Sequence, residues 1–487
     1  MKNFLLLICS LIVLSATAQK KNKTAEKFAQ TITAADLRNY LFTLASPEME
    51  GRETGMPGQR KAADYLKQQF QRIGIAPGNN GNYEQMYPVY KDTLKEAAIS
   101  INNKKFEYGK DFTAMLNTIT TTTVYFSEVV YMSKIDTTVD IKGKAVVLFS
   151  SAALQNTRSG DLNKLLNQQP AALLIIQPGI DKQPGQRSGR MYVNLYKAKQ
   201  SPVFIRISEQ MGEAILQSDF AKAKEQSLET KTVSTELMLS FDKESSAVEA
   251  SNVLGVIEGT DKKDEWVVVS AHYDHVGMQG GKLHPGADDD GSGTVAVLEM
   301  AEAFAKAKAA GKGPRRSMLF ILVSGEEKGL WGSAFYSSHA VYPLDKTSID
   351  LNIDMIGRKD DKLNSPDSNN HVYLIGDDKL SSDLPKLVDS INQLYIKLIT
   401  DRKYNDPKDP QRLYYRSDHY NFAAKGVPVL FFFDGIHKDY HKPTDTPDKI
   451  NYDLLEKRAR LVFLLAWEAS NRNEMMKRDI PLNVPAR

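Results

Sequence analysis

Histidine and carboxylate side chains, which bind divalent metals in proteins, recur after apolar, strand-like runs in the second half of the chain. All eight histidines lie between His272 and His441. The polar residues that follow such runs are His272, Asp274, Glu326, Glu327, Asp354 and His441. Ligands of open α/β sheets bind beyond the carboxyl ends of the strands, so we expect these groups to converge on one crevice.

The first of these motifs is His272-Tyr273-Asp274. Taken alone, a His-x-Asp triplet is more often a surface polar pair. If the strand continues through it, however, His272 and Asp274 share one side. The carboxylate can then hold the imidazole in one tautomer and leave its other nitrogen for a metal.

The second motif is an acidic, glycine-rich segment at 286–293, Gly-Ala-Asp-Asp-Asp-Gly-Ser-Gly, which leads into an apolar helix. Three adjacent carboxylates repel one another unless a cation neutralises them. A calcium loop is the competing interpretation, but the segment lacks the spaced acidic residues and terminal glutamate of that motif. Either Asp290 or Ser292 can cap the following helix.

The third motif, Ser324-Gly325-Glu326-Glu327, places two carboxylates in a turn after a buried strand. Because adjacent side chains diverge, one can bind a metal while the other faces a substrate. Histidines and carboxylates without sulfur suit two divalent ions about 3.5–4 Å apart. This ligand set favours zinc and is also compatible with cobalt or manganese.

These residues lie in a region where apolar strands alternate with helical patterns. Strands are predicted at 253–257, 266–270, 318–323, 349–353 and 429–433, and helices at 295–309, 384–398 and 454–469. Such alternation predicts an α/β fold with a mixed, mostly parallel sheet flanked by helices. Two earlier helical patterns occupy 33–75, with a loop at 51–58 between them.

A region of different character interrupts this pattern. Residues 95–245 contain short β-like runs, several turns and no histidine, which predicts a smaller, β-rich inserted domain. The polar stretch 230–251 is interpreted as a return linker. The predicted organisation is an export signal at 1–18, the N-terminal part of the main domain at 24–94, the insert at 95–245, and the main part with the metal site at 246–478.

The N-terminus has the features of an export signal. Lys2 is followed by a mostly apolar run at 4–16 and by Ala16-Thr17-Ala18, a small-x-small cleavage pattern. The apolar run is too short to span a bilayer. We therefore expect a periplasmic, cell-surface or extracellular protein with no transmembrane span. Cys9, the single cysteine, leaves with the signal, which excludes disulfides and cysteine-ligated zinc.

Composition narrows the classes of partner. The 487 residues exceed the size of a typical single core, so two domains are expected. The 41% hydrophobic and 25% charged residues are typical of globular proteins. A net charge of +3 without a dense basic stripe argues against nucleic acid as a partner.

At this point the motifs resemble those of the family-28 metallopeptidases, the zinc exopeptidases that include two-zinc aminopeptidases. The matching strings, in the family's order, are the three motifs above, Asn352-Ile353-Asp354-Met355-Ile356-Gly357 and Asp439-Tyr440-His441. The resemblance covers about 251–471. Residues 40–75 look like that family's N-terminal helices, and 95–245 is similar to the protease-associated domain often inserted there.

The resemblance implies a zinc-exopeptidase (phosphorylase/hydrolase-like) fold and a role for each site residue. His272 and Asp354 would hold one zinc, Glu327 and His441 the other, and Asp289 would bridge them. Asp274 would orient His272, Glu326 would be the general base, and Tyr440 would stabilise the oxyanion.

The implied activity is that of a secreted aminopeptidase that acts on peptide substrates. A carboxypeptidase or dipeptidase of the same family is the alternative, for which Arg358, Arg412 and Arg416 offer basic groups. A non-catalytic, receptor-like protein is disfavoured, because Glu326 is not needed merely to hold metal.

Five further positions stay open or are set aside. The stretch around His419 also resembles the family, as a wall of the substrate pocket, and His419 is not expected to be a ligand. Trp331 and residues 431–433 are either part of an apolar specificity pocket or part of the core.

Overall fold

The computed structural model describes residues 21–150, 160–180, 185–194, 202–363 and 366–482. The chain forms two compact units, which we call the larger unit (Met1–Tyr87 with Ala250–Arg487) and the inserted unit (Pro88–Glu249). The predicted export signal lies outside the described residues. Among those that are described, no helix combines the length and the hydropathy needed to cross a bilayer.

The larger unit is built on a mixed, mostly parallel sheet. Its four central strands are parallel and lie in the order Val429–Phe433, Thr347–Ile353, Lys262–His272 and Arg316–Val323. The sheet continues on one side with His371–Ile375 and Ile399–Asp401, and on the other with the end of Lys231–Ile257 and with Ala76–Pro77. The predicted α/β class with a mostly parallel sheet is confirmed.

Helices cover both faces of this sheet. One face packs against Lys23–Ala29, Ala34–Leu44, Pro57–Arg72, Gly293–Ala309, Leu384–Ile391 and Tyr452–Asn471, and the other against Trp331–Ser338 and His419–Ala423. Successive strand residues point to opposite faces. Val267 and Val269 accordingly belong to the first core and Val268 to the second, which is why the central strands are apolar throughout.

Two predicted elements differ from the structure. The helix predicted at 384–398 ends at Ile391 and is followed by a wider π turn, because the Asn392 side chain bonds both the N–H and the C=O of Leu398 at 2.9 and 2.8 Å. The predicted linker at 230–251 is instead part of one long strand, Lys231–Ile257. Its alternating buried leucines at 237 and 239 give it a half-buried strand pattern, which its polar residues obscured.

The inserted unit is β-rich, with its own mixed sheet. The first part of Lys231–Ile257 is followed across this sheet by Thr122–Tyr131, Ala145–Phe149, Ala172–Ile176, Val203–Ile207 and Phe112–Ala114. Further elements are the strands Glu84–Ile101, Lys104–Phe106 and Ser188–Tyr192 and the helices Gly160–Asn167, Glu209–Leu216 and Phe220–Lys224. Its relation to protease-associated domains stays a prediction.

Candidate metal centre

The parallel strands of the larger unit bring the predicted ligands to one edge of the sheet. His272 is the last residue of its strand, and Asp354 directly follows another. Glu327 lies in the turn after the strand Arg316–Val323, and His441 follows the strand that ends at Phe433. Since the four central strands are parallel, their carboxyl ends meet at this edge.

Asp289 lies between the two histidines. Its Oδ1 is 3.3 Å from Nε2 of His272, and its Oδ2 is 2.9 Å from Nε2 of His441. One carboxylate thus presents an oxygen to each histidine, which is the geometry of a bridging ligand.

The remaining two predicted ligands complete two separate groups. Nε2 of His272 is 3.6 Å from Oδ1 of Asp354, and Nε2 of His441 is 3.0 Å from Oε2 of Glu327. All five residues therefore come together as the sequence predicted, in one group around His272 and a second around His441, with Asp289 shared.

Several buried polar atoms of these groups lack a hydrogen-bond partner, which shows whether the groups fit metal ions. Nε2 of His272, Nε2 of His441, Oδ2 of Asp289 and Oε1 of Glu327 are buried and have no hydrogen-bond partner. An unsatisfied buried polar atom costs about 1–3 kcal/mol, so such a concentration indicates a site shaped for a ligand. Imidazole and carboxylate donors without sulfur fit a pair of zinc ions.

The charges at this edge also favour cations. Burial lowers the pKa of His441, but the carboxylates of Asp289 and Glu327 have the larger opposite effect, so the pKa is raised to about 10. Burial and Asp289 raise the pKa of Glu327, but contact with His275 and His441 brings it to about 2. The carboxylates therefore stabilise positive charge among them, and divalent cations supply it.

Glu326 lies beside the ligand groups without belonging to either. Its Oε2 is 3.9 Å from Nε2 of His272, and its side chain is 13% exposed. It lines an open cavity together with Asp289, Asp354 and Tyr440. Burial, reinforced by the charge of Glu327, raises the pKa of Glu326 well above its ordinary value.

Asp274 holds His272 differently from the expectation. Nδ1 of His272 lies 3.1 Å from the main-chain oxygen of Asp274 and 3.6 Å from its carboxylate, so the main chain is the nearer acceptor. The Asp274 carboxylate instead accepts hydrogen bonds from the Thr54 hydroxyl at 2.7 Å and from the Glu326 N–H at 3.2 Å. It therefore anchors the turn that carries Glu326 as well as lying near the imidazole.

The acidic segment divides its functions among neighbouring residues. While Asp289 faces the histidines, Asp290 turns back and accepts the N–H groups of Gly293 at 2.8 Å and Met355 at 3.1 Å. Of the two residues predicted as caps, Asp290 is thus the one that bonds the start of the helix Gly293–Ala309. It also accepts the N–H of His272 at 3.2 Å, which ties the two motifs together.

Tyr440 and several apolar residues form the cavity wall. The Tyr440 ring stacks on that of His441, with centroids 3.9 Å apart, and Nη2 of Arg416 donates to its hydroxyl at 3.4 Å. Phe431 and Phe433 also line the cavity. Phe432 points to the opposite core, and Trp331 lies at the start of a helix rather than among the lining residues described.

The other predicted basic groups are engaged elsewhere. Arg358 pairs with Asp439 at 3.0 Å, and the guanidinium of Arg412 lies 4.8 Å from the ring centre of Tyr415. His419 is buried with its ring stacked on Phe431, and burial lowers its pKa to about 3. It belongs to neither ligand group, in agreement with the sequence analysis.

Two residues at this edge were missed by the sequence analysis. His275 is fully buried, and its Nδ1 lies 2.8 Å from Oε1 of Glu327. Asp445 accepts the N–H groups of Asp288 at 3.0 Å and Asp289 at 3.3 Å. The position of His275 directly after Asp274 was a usable signal, whereas Asp445 is only one of several polar residues after His441.

Comparison with known proteins identifies this region. Residues 252–466 match the model of peptidase family M28 and include all five predicted ligands. The chain therefore contains a peptidase family M28 domain. Two groups of side chains among the described residues could each hold a metal ion, His272 with Asp290 and Asp354, and His275 with Asp289 and Glu327, which fits the predicted pair of metal ions.

Individual relatives are aminopeptidases by name. The chain is 28% identical over 229 residues to a probable leucine aminopeptidase of Arthroderma otae and 30% identical over 228 residues to leucine aminopeptidase 1 of Sclerotinia sclerotiorum. These alignments cover 46% and 45% of this chain, and the chain spans little more than half of the relatives, 58% and 55%.

A solved structure shares the fold. An aminopeptidase from Aneurinibacillus sp. strain AM-1 superimposes with a TM-score of 0.55 at 20% identity, over 94% of this chain and 98% of that one. At this identity the likeness establishes the fold and nothing about the substrate.

Proposed function

We propose that the protein is an exported two-zinc aminopeptidase that releases N-terminal residues from peptides. The observation that carries this proposal is the position of Glu326, in the cavity wall beside the ligand groups and outside both. A protein that only bound metal would have no use for a buried carboxylate there. A hydrolase needs one to transfer protons.

The residues support the following reaction. When bound, the zinc pair supplies Lewis acidity, which makes a water nucleophilic and polarises the scissile carbonyl. Glu326 accepts the proton of that water and then delivers it to the leaving amine. The Tyr440 hydroxyl donates to the carbonyl oxygen as negative charge develops. Burial, together with the charges of Asp289 and Glu327, raises the pKa of Tyr440. The phenol therefore stays protonated and can donate this hydrogen bond.

The cavity wall suggests the substrate class. The carboxylates of Asp289, Glu326 and Asp354 attract a free α-ammonium group. The apolar part of the wall, formed by residues such as Phe431 and Phe433, suits an apolar N-terminal side chain. The names of the leucine aminopeptidase relatives support the same class.

A carboxypeptidase or dipeptidase is the second candidate. Arg416 supports it, since its guanidinium lies in the cavity wall, where it would receive a free carboxylate. Of the three arginines considered, Arg358 is paired and Arg412 stacks on a tyrosine, so Arg416 alone keeps this role.

Two proposals concern the rest of the chain. Residues 1–18 are an export signal, which the apolar run and the cleavage pattern support. The inserted unit is a protease-associated domain, which its β-rich sheet and its position in the sequence, between the two segments of the larger unit, support.

Hydrolysis of a substrate panel by the zinc-loaded mature chain tests the activity. We expect release of N-terminal leucine from a leucyl peptide, slower release of glutamate or lysine, and no cleavage of the N-acetylated leucyl peptide. Chelation should abolish the activity, and zinc should restore it. Cleavage of N-blocked peptides from a free carboxyl end would favour the second candidate instead.

A further inference from the structure

We propose that His275 is a positioning residue that holds Glu327 in place and thereby sets the affinity of the second zinc. This inference rests on the proposed two-zinc site. It assigns a role to a histidine that the sequence analysis left out, and it concerns metal binding, which can be measured without a substrate.

The two oxygens of Glu327 face different histidines. Oε2 lies 3.0 Å from Nε2 of His441, which in turn is 2.9 Å from Oδ2 of Asp289. Donors that share one zinc lie about this far apart, because each is roughly 2.0–2.2 Å from the metal. Oε1 lies 2.8 Å from Nδ1 of His275. His275 therefore engages one oxygen and leaves the other for the metal.

His275 is farther from the shared ligand. Its Nδ1 is 3.9 Å from Oδ2 of Asp289, against 2.9 Å for Nε2 of His441. His441 thus contacts both carboxylates of the second group closely, whereas His275 contacts one. This asymmetry assigns metal binding to His441 and support of Glu327 to His275.

The surroundings of His275 keep its ring in this position. The side chain is fully buried, and the main-chain N–H of His275 donates to the main-chain oxygen of Arg52 at 3.3 Å. Nη2 of Arg52 donates to the main-chain oxygen of Gly286 at 2.8 Å. Gly286 has φ +57°, and a Cβ there would lie 2.4 Å from Cγ of His275, so this turn packs directly on the ring.

A side chain that contacts a ligating carboxylate fixes its orientation, and its loss costs about 10- to 100-fold in metal affinity. For Glu327 the effect should be confined to the second zinc, because the first group, around His272, does not include Glu327. The inference therefore predicts selective weakening of one site of the two.

Zinc titration of variants against a chromophoric chelator tests this. His275→Leu removes the contact with Glu327 and should weaken binding of the second zinc about 10- to 100-fold, while the first zinc binds normally. His275→Asn places an amide N–H near the position of Nδ1 and should restore most of the affinity. The matched control is His284→Leu, since His284 is also buried but its Nδ1 lies near the main-chain oxygen of Lys282, 3.2 Å away. It should bind both zinc ions normally.

The outcomes separate the alternatives. Unchanged affinity for both zinc ions in His275→Leu would overturn the proposal. The proposal would also be overturned if His275→Asn weakened binding of the second zinc as much as His275→Leu does and changed the visible spectrum of the cobalt-loaded protein. That result would make His275 a direct ligand. Normal binding of the first zinc shows that each variant has folded. If the native chain binds two zinc ions but cleaves no peptide, the aminopeptidase proposal fails while this inference is still tested.

Discussion

The two units of the chain differ in how they treat buried polar groups. Among the described residues of the inserted unit, the buried polar side chains are Asp92 and Thr235. Asp92 is fully satisfied, with Tyr192, Lys243 and Ser245 all within 2.8 Å. The larger unit instead buries several unpaired atoms at one edge of its sheet, among them Nε2 of His272 and of His441, whereas the described residues of the inserted unit leave one such atom, Oε1 of Gln168.

This difference distinguishes buried polar groups that stabilise the fold from those that bind a ligand. A buried polar group that serves the fold finds its partners within the protein, because each unsatisfied atom costs about 1–3 kcal/mol. Unpaired atoms that cluster where ligands converge are paired only when something binds. The comparison thus predicts loss of activity from changes in the larger unit's edge and loss of stability from changes at Asp92.

The largest expected effect is on Glu326. Glu326→Gln removes the proton acceptor and keeps the shape, so the rate of peptide hydrolysis should fall by about 10² to 10⁴. Zinc content, measured by atomic absorption, should stay at two per chain.

The control is Glu244→Gln, an exposed glutamate in the inserted unit that pairs with Lys95, which should leave the rate unchanged. Loss of zinc in Glu326→Gln together with retention in Glu327→Gln would mean that the roles of the two glutamates are reversed.

Asp274 comes next. Asp274→Ala removes the acceptor of the Glu326 N–H and the carboxylate near His272, so the rate should fall by roughly 10- to 100-fold. The control is Asp264→Ala, which changes an exposed aspartate near the start of the strand Lys262–His272. Asp274 follows the end of that strand. An unchanged rate in Asp274→Ala would remove this residue from the catalytic arrangement.

Asp92 tests the other side of the comparison. Burial raises its pKa, but hydrogen bonds from Lys243, Ser245 and Tyr192 lower it below the ordinary value. Its contribution is therefore present above about pH 3.9 and is lost as the pH falls through the lower pKa of the folded state. Asp92→Asn should cost about 1–3 kcal/mol near pH 7 and leave the peptidase rate per folded molecule unchanged.

Thermal melts from pH 3 to pH 8 measure this difference, which should shrink at the acid end. Asp242→Asn, at an exposed position in the same unit, should melt like the native protein. A fall in the catalytic rate of folded Asp92→Asn would contradict the prediction that Asp92 contributes only to stability.

The smallest effect concerns Glu299, a buried carboxyl in the helix Gly293–Ala309 of the larger unit. Burial and the charge of Asp36 raise its pKa to about 8. An acid whose pKa is raised on folding favours the folded state at low pH and loses this benefit as the pH rises from about 4.3 to 8. Glu299→Gln keeps the acceptor for the Thr33 N–H and removes the charge, so above pH 8 it should stabilise the protein.

Urea unfolding at pH 5 and pH 9 checks the sign, since the gain should appear mainly at pH 9. Glu302→Gln is the contrasting control in the same helix, because burial raises the pKa of Glu302 but contacts with Lys306 and Tyr40 lower it overall. It should not stabilise the protein at pH 9.

Much of the fold was predictable because its elements have strong local patterns. The apolar run at 318–323 lies within the strand Arg316–Val323, and the helix predicted at 295–309 lies within Gly293–Ala309. The failures have tertiary causes. The π turn after Ile391 depends on Asn392 bonding Leu398, and the strand character of 230–251 depends on partners distant in the sequence.

Within the site, the residue types and the motif order predicted which side chains come together, and the family resemblance supplied the five predicted ligands. All of these except Asp289 lie at or after the end of a strand of the central sheet, and those ends meet. Three features needed the structure. These are the main-chain acceptor of His272, the anchoring of Glu326 by Asp274, and the contact between His275 and Glu327. Each depends on side-chain direction within a turn, which spacing along the chain does not specify.

The sequence by itself determined the α/β class, the family resemblance and the set of donors, since these follow from periodicity and from residue chemistry. The tertiary structure alone decided which atoms face one another across the sheet edge. Those distances are set by how strands packed from remote parts of the chain align their ends, and a shift of one residue would turn a ligand into an outward-facing side chain.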